Sequence, residues 1–221
     1  MPLHRTHLNI LSMHEENHRL ERMTSDPLLD LTKHQPPFSW SLLFSNENPV
    51  EMEIGSGKGR FVLEASMRWP QTNFLGVEIA NRYFQSSMKR IAKRGIKNAL
   101  FVRTDARNLL TRWIPSQTLQ RIHIYFPDPW PKRRQQKRRM LNPPFPEWAA
   151  RVLIPGGEIL IGSDHEGYVE RIQEVMGTEP TFERRFWNPL EENWILTNYA
   201  VKWAAQGRRL YWFRYRLNVV D

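Results

Sequence analysis

The sequence predicts an α/β protein built on a doubly wound, mostly parallel sheet with helices on both faces. Three observations carry this. From Val50 onward, apolar runs of strand length alternate with helix-length segments. The first run ends in a glycine turn, Gly55-Ser56-Gly57-Lys58-Gly59. Acids follow successive strands at their carboxyl ends, where open parallel sheets hold ligands.

Taken in order, Val50–Ile54 reads as the first strand, followed by a helix from about Gly59 to Arg68. Asn73–Ile79 is the second strand. The helix Asn81–Lys93 places Tyr83, Phe84, Met88 and Ile91 at helical spacing. Ala99–Arg103 is the third strand, with a helix near Ala106–Trp113, and Arg121–Phe126 is a buried fourth strand. Phe145–Leu153 is helical and stops at Pro155-Gly156-Gly157. Glu158–Gly162 is the fifth strand and Glu166–Met176 a helix. Strands near Phe182–Trp187 and Leu210–Leu217 close the sheet. Residues 1–45 have weak periodicity and carry Pro27, Pro36 and Pro37; residues 1–30 are expected as a partly ordered arm and residues 31–221 as a single domain.

The chain of 221 residues suits one full hydrophobic core. Its 40% hydrophobic and 25% charged residues are ordinary for a globular protein, but the formal net charge of +9 favours a polyanionic partner, nucleic acid first. No apolar run approaches the roughly 18–20 residues of a membrane span, and the polar start is not a secretory signal. The absence of cysteine excludes disulfides, thiolate nucleophiles and Cys-ligated metals. A cytoplasmic protein without a membrane or metal partner is expected, as a monomer or a homodimer.

Three nucleotide loops compete for the glycine turn. A P-loop requires Ser or Thr after Gly-Lys, and Gly59 stands there. A dinucleotide loop requires a third glycine at the position held by Arg60. What remains is G-x-G-x-G, the form used for S-adenosylmethionine, with Gly55 and Gly57 nearest the ligand. Glu53 precedes the turn. Glu78, ending the second strand, is placed to accept from ribose hydroxyls. Asp105, ending the third, is placed to accept from an adenine amine or to cap the next helix. Asp128 follows the fourth. Acids at four strand ends form an anionic cleft that suits a sulfonium and an ammonium and fits the two phosphates of a nicotinamide dinucleotide poorly.

The stretch Pro127-Asp128-Pro129-Trp130-Pro131-Lys132 is stiffened by its prolines and can hold an acid and an indole in place. Trp130 is a candidate for base stacking. In the run from Lys132 to Arg139, six of eight residues are cationic and none is acidic. Beside a cofactor cleft, Arg134, Lys137, Arg138 and Arg139 are placed to grip phosphates.

Two motifs point elsewhere. His14-Glu15-Glu16-Asn17-His18 has the His-Glu-x-x-His spacing of zinc sites but lacks the extended pattern and sits in the polar arm, so no metal is expected. Asn142-Pro143-Pro144-Phe145 has the form used by methyltransferases that act on adenine or glutamine amines. It lies far downstream of the fourth strand, with Asn142 as a helix N-cap and proline in the first turn as its structural explanation.

On these residues the sequence resembles the bacterial tRNA (guanine-N7-)-methyltransferase family from about Asp30 to the end. The resemblance rests on Glu53-Ile-Gly-Ser-Gly-Lys-Gly, Gly76-Val-Glu-Ile, Thr104-Asp-Ala and above all Phe126-Pro-Asp-Pro-Trp-Pro-Lys with Lys137-Arg-Arg; Ser163-Asp164-His-Glu-Gly-Tyr adds to it. It implies the seven-stranded class I methyltransferase fold and S-adenosyl-L-methionine held by Glu53, Glu78, Asp105 and Asp128. It also implies Asp128 as the catalytic carboxylate, substrate contacts at Lys132 and Asp164, and tRNA as partner, with the variable-loop guanosine at position 46 as target. The family's C-terminal Thr-Lys-Phe-Glu reads here Thr197-Asn198-Tyr199-Ala200, which keeps Thr197 as a substrate contact but loses the Lys and Glu. The competing readings are an amine-directed methyltransferase using Asn142 and an RNA-binding protein without catalysis. The intact set Glu53, Glu78 and Asp105 argues against the last.

Overall fold

The structure is a computed structural model that describes residues 26–177 and 181–219. Seven strands form one sheet: β1 (Val50–Ile54), β2 (Asn73–Val77), β3 (Ala99–Val102), β4 (Leu119–Tyr125), β5 (Leu153–Ser163), β6 (Phe182–Arg185) and β7 (Tyr211–Leu217), in the order β3-β2-β1-β4-β5-β7-β6. Strands β1 to β5 are mutually parallel, and β7 runs antiparallel between β5 and β6. The helices are α1 (Trp40–Phe44), α2 (Arg60–Arg68), α3 (Asn81–Ala92), α4 (Ala106–Asn108), α5 (Phe145–Val152), α6 (Glu166–Gly177) and α7 (Asn198–Ala205). Pro27, Leu28 and Leu29 run beside β3, with the Phe101 amide donating to the Pro27 carbonyl at 2.7 Å.

The central strands are buried on both faces, so β2 reads as a nearly unbroken apolar run, whereas β1, Val-Glu-Met-Glu-Ile, alternates because it buries two glutamates on one face. The alternation reappears in which core each residue joins. Met52, Leu75, Ile122 and Ile159 enter the core shared with α5 and α6. Phe74, Phe101, Tyr125 and Leu160 enter the core shared with α2 and α3. Gly76 is fixed by this second core, since a Cβ there would stand 2.4 Å from the Phe101 ring. The chain turns outward from β1 through β2 to β3 and then crosses back to β4. The switch point therefore lies between β1 and β4, with Ile54 and Tyr125 at its carboxyl edge.

Three local expectations are corrected. The segment 106–113 is not a continuous α-helix: α4 passes into a π turn at Leu109–Trp113, where the Ile114 amide donates to the Leu109 carbonyl at 3.0 Å. Arg151 reaches in from α5 and donates to the Leu110 and Ile114 carbonyls freed by that widening. Strand β5 begins at Leu153, through Pro155-Gly156-Gly157, rather than at Glu158. Helix α7 was not foreseen, although Thr197 caps it, its hydroxyl accepting from the Ala200 amide at 3.2 Å, and Gly207 follows it. No helix among the described residues is long and apolar enough to cross a membrane.

Candidate functional site: an acidic cleft at the switch point

Gly55 and Ser56 leave β1 by donating their amides to the Val77 carbonyl at 2.8 and 3.0 Å, so the turn is tied to the end of β2. Gly55 and Gly57 have φ of +78° and +54°, and a Cβ on Gly55 would meet nothing within 4 Å, so that edge of the turn faces open space. Gly59 serves packing instead: a Cβ there would stand 2.6 Å from Ser87 in α3.

Glu78 fastens this loop. Its Oε2 accepts from the Gly57 amide at 2.8 Å and its Oε1 from the Ala80 amide at 2.7 Å. Glu53 is the unusual member. It is buried, and its Oε2 has no hydrogen-bond partner. Burial and the neighbouring Glu78 charge push its carboxyl up to about 8, against a smaller opposing pull from the Val62 amide at the start of α2. A cation entering the cleft relieves that penalty.

Asp105 sits at the N-terminus of α4. Its Oδ1 accepts from the Arg107 amide at 2.9 Å and its Oδ2 meets the Arg107 guanidinium at 3.3 Å, so the capping role is the one formed here. Asp128 is exposed on the loop after β4. The loop is held in an uncommon conformation, with Phe126 and Trp130 at φ of +53° and +42°. Its support is Arg139, whose Nε donates to the Pro129 carbonyl at 2.7 Å while its guanidinium lies over the Tyr168 ring of α6 at 4.8 Å.

That contact corrects an expectation. Arg139 is only 6% exposed and faces inward, so it does not share the exposed surface of the basic run, where a phosphate contact was expected of it. The run itself forms a 3-10 turn, Arg133–Arg138, with Lys132, Arg134, Lys137 and Arg138 exposed. Arg138 also stacks over Trp130 at 5.0 Å. Asn142 is not an N-cap either; Pro144 occupies that position, with no side-chain cap. The Asn142 amide donates to the Gln136 carbonyl at 2.8 Å and its oxygen accepts from Arg171 at 3.3 Å, so it braces the basic turn.

Asp164, just past β5, pairs with Arg208 at 3.1 Å, and Arg208 lies over the Trp203 ring of α7 at 3.8 Å. Thr197, expected at the substrate, has its hydroxyl engaged as the cap of α7. Ala200 is fully buried, so the position where the family pattern has Glu points into the fold here. Asn198 and Tyr199 are the exposed residues of that segment, and Tyr199 is the aromatic one. Its hydroxyl is pushed up by partial burial, by the Tyr83 beside it and by the charge of Asp128, which brings α7 to the same cleft mouth as the acid.

Comparison with known proteins decides the family. Residues 47–213 match the protein family described as "Putative methyltransferase". A tRNA (guanine-N(7)-)-methyltransferase of Geobacter metallireducens is 32% identical over 203 residues, covering 90% of this chain and 96% of that protein. One from Syntrophotalea carbinolica is 30% identical over 185 residues, covering 82% and 80%. The chain belongs to the tRNA (guanine-N7-)-methyltransferase family. Among solved structures, the 16S rRNA methyltransferase KamB superposes with a TM-score of 0.54 at 16% identity, covering 83% of this chain and 95% of that one; it shares the fold.

The structure of this tRNA (guanine-N7-)-methyltransferase family member also contains a buried polar chain that the sequence did not reveal. Trp194 donates to the Tyr125 hydroxyl at 2.9 Å, which lies 3.0 Å from His123 Nδ1; His123 Nε2 lies 2.8 Å from Glu51. An indole only donates, so the tyrosine hydrogen goes to Nδ1, and Nε2 carries the proton donated to Glu51. Every link is satisfied with neutral His123, consistent with burial pushing its pKa down against the opposing pull of Glu51. At the far end, Arg121 donates to Glu51 at 2.6 Å and to Glu158 at 3.0 Å. Burial raises the Glu51 carboxyl, but His123 and Arg121 outweigh it and hold it below the ordinary value. The chain anchors the segment leading to Thr197 onto the last residue of β4, next to the Asp128 loop. The only sequence signal was Glu51, His123 and Tyr125 in strands whose surroundings are apolar. His14 to His18 lie outside the described residues, and no acid–histidine group able to hold a metal occurs among the described ones.

Proposed function

We propose that this protein transfers a methyl group from S-adenosyl-L-methionine to nitrogen-7 of guanine in tRNA, in the cytoplasm, with the variable-loop guanosine at position 46 as target. The observation that carries the reading is the buried carboxyl of Glu53, with one oxygen left without a hydrogen-bond partner, beside Glu78 and under an open glycine turn, in a protein of net charge +9. An anionic pocket in a cationic protein suits a cationic small molecule and an anionic macromolecule together.

The residues fit the cofactor. Glu53 has a free buried oxygen for a cation, Gly55 and Gly57 leave backbone-lined space, and Glu78 and Asp105 border the same edge of the sheet. When bound, S-adenosylmethionine supplies a methyl group made electrophilic by the sulfonium. The protein's part is binding and alignment. Guanine N7 carries a lone pair and no proton, so no general base is required. Asp128 acts by accepting from the guanine ring N–H and exocyclic amine, which fixes the purine and rejects adenine, whose acceptor would face the carboxylate. Lys132 and the exposed cations of the 133–138 turn hold the flanking phosphates, and Asp164, Thr197 and Tyr199 form the opposite wall. Orientation is the main lever, because a carboxylate near a charge that only relocates lowers the barrier little.

The test supplies labelled S-adenosylmethionine with two tRNA transcripts, one lacking the variable-loop guanosine. Label recovered as 7-methylguanosine from the first alone is expected. Equal labelling of both refutes the position, and label on an amine nitrogen refutes the chemistry. Asp128→Asn is expected to lower turnover at least about a hundredfold with a smaller change in cofactor affinity.

A further inference from the structure

We propose that the exposed face of α3, with the groove it makes against α2, is a second track for RNA phosphates, on the opposite face of the sheet from the 133–138 turn. The proposal rests on the tRNA reading above and extends it to where the rest of the RNA lies.

Between Glu78 and Asp105, residues 79–104 contain seven cations and no acid. Arg82, Lys89, Lys93 and Arg94 are exposed, and Arg90 is half-buried. The groove between α2 and α3 is lined by Arg60, Lys89, Arg90, Lys93 and Arg94, with Glu64 as its one acid, already paired to Arg60 at 2.7 Å. None of the α3 cations has an acid within salt-bridge distance among the described residues, whereas Arg107, Arg121, Arg171, Arg185, Arg208 and Arg214 elsewhere all do.

The helix does not need this pattern for its own stability. Lys89 and the C-cap residue Lys93 are like charges at i and i+4, which repel at the end of an isolated helix, and Arg94 follows in the next turn. The helix dipole favours cations in the last turn, which accounts for Lys89 and Arg90, but it disfavours Arg82 in the first turn, where no acid offsets it. An external polyanion removes both conflicts. The placement also fits: α3 starts three residues after Glu78, at the cleft mouth where Arg82 touches Tyr83, and its 12 residues carry the cations about 18 Å away. The 133–138 turn packs with α4 and α6 through Arg107, Arg139 and Tyr168, while α3 packs in the other core. An RNA inserting a base at Asp128 is therefore flanked by cations on both sides of the sheet edge, the geometry for straddling it rather than lying along one face.

The experiment compares full-length wild type with two triple variants of equal charge change. One is Lys89→Gln/Lys93→Gln/Arg94→Gln at the end of α3 and in the turn that follows it. The other is Arg184→Gln/Arg185→Gln/Arg216→Gln on the far β6–β7 edge. Affinity for an unmodified tRNA transcript is measured from low to high salt, and label transfer is assayed in parallel. The α3 triple is expected to weaken binding roughly ten- to a hundredfold and to reduce the slope of log affinity against log salt by roughly 2–3. Its melting temperature should not fall, since the like-charge pair Lys89/Lys93 is removed. The β6–β7 triple should stay within about twofold of wild type. Equal loss in both variants would reduce the effect to net charge and overturn the track, as would an unchanged α3 triple. Retained tRNA affinity with lost binding to phosphatidylserine vesicles would overturn it in favour of a membrane surface. If wild type transfers no label to tRNA while the α3 triple still weakens tRNA binding, the catalytic reading fails and the track stands.

Discussion

Replacing Glu53 by Gln tests the electrostatic core of the site without changing its shape. The folded-state value of about 8 lies above the reference 4.5, so folding favours the protonated carboxyl. The stability tied to that proton is fully present below about pH 4.5 and is lost as pH rises toward 8. By pH 7 the loss is about 3 kcal/mol, and at pH 5 it is below about 1 kcal/mol. An uncharged amide does not incur it. In urea denaturation of the cofactor-free protein, the Gln variant should be close to wild type at pH 5 and gain about 2–3 kcal/mol relative to it by pH 7. Cofactor affinity should move the other way, falling in the variant because the cation loses its counter-charge. Calorimetry in buffers of different ionisation enthalpy should show wild type releasing up to one proton on binding S-adenosylmethionine at pH 7, and the variant none. A stability difference that stays constant across pH would show that Glu53 is already ionised in the folded protein, and the argument for an electrostatically poised cleft would fail.

Arg139→Lys should lower turnover about tenfold or more with little effect on cofactor affinity, because an ammonium cannot both donate to Pro129 and lie over Tyr168; wild-type kcat in steady-state assays would refute its bracing role. Trp194→Phe leaves the Tyr125 hydroxyl one donor short and should cost about 1–2 kcal/mol in denaturant melts. It should also raise the KM for tRNA if the chain positions the Thr197 segment, and a purely structural role would leave KM unmoved. Gly76→Ala forces a Cβ against Phe101 and should destabilise by about 1–3 kcal/mol, with Phe101→Leu in the same chain restoring part of the loss.

The parallel sheet was legible because its strands are buried on both faces and its turns carry glycine, so each boundary had a local chemical sign. The acids were legible for a similar reason: a carboxylate stands at, or within three residues of, the carboxyl end of β1, β2, β3 and β4 in turn. Arg139 was not. Nothing within the run Lys132 to Arg139 separates the residue that faces Tyr168 from those that face water, since the distinction comes from α6, far along the chain. The Trp194 to Glu51 chain was hidden in the same way. Its links span 69 and 72 residues and exist only once β1 pairs with β4. Helix α7 had both end signals, Thr197 and Gly207, but it buries only Ala200, so no core-facing stripe marked it.

The supports around Asp128 follow from the chemistry that the cleft is proposed to carry out. A reaction that removes no proton gains little from a tuned acid or base, and a charge that moves from sulfur to purine gains little from a nearby carboxylate. What remains is the line between donor and acceptor, which must be held to a fraction of an ångström. The loop carrying Asp128 is braced from one face of the sheet by Arg139 on Tyr168 and flanked on the other by Tyr125, to which Trp194 is bonded. Both braces are buried or half-buried and neither presents a group to the substrate, so their value lies in excluding alternative loop positions. The positive φ values at Phe126 and Trp130 point the same way, since non-glycine residues stay in that region only where the surroundings over-determine them.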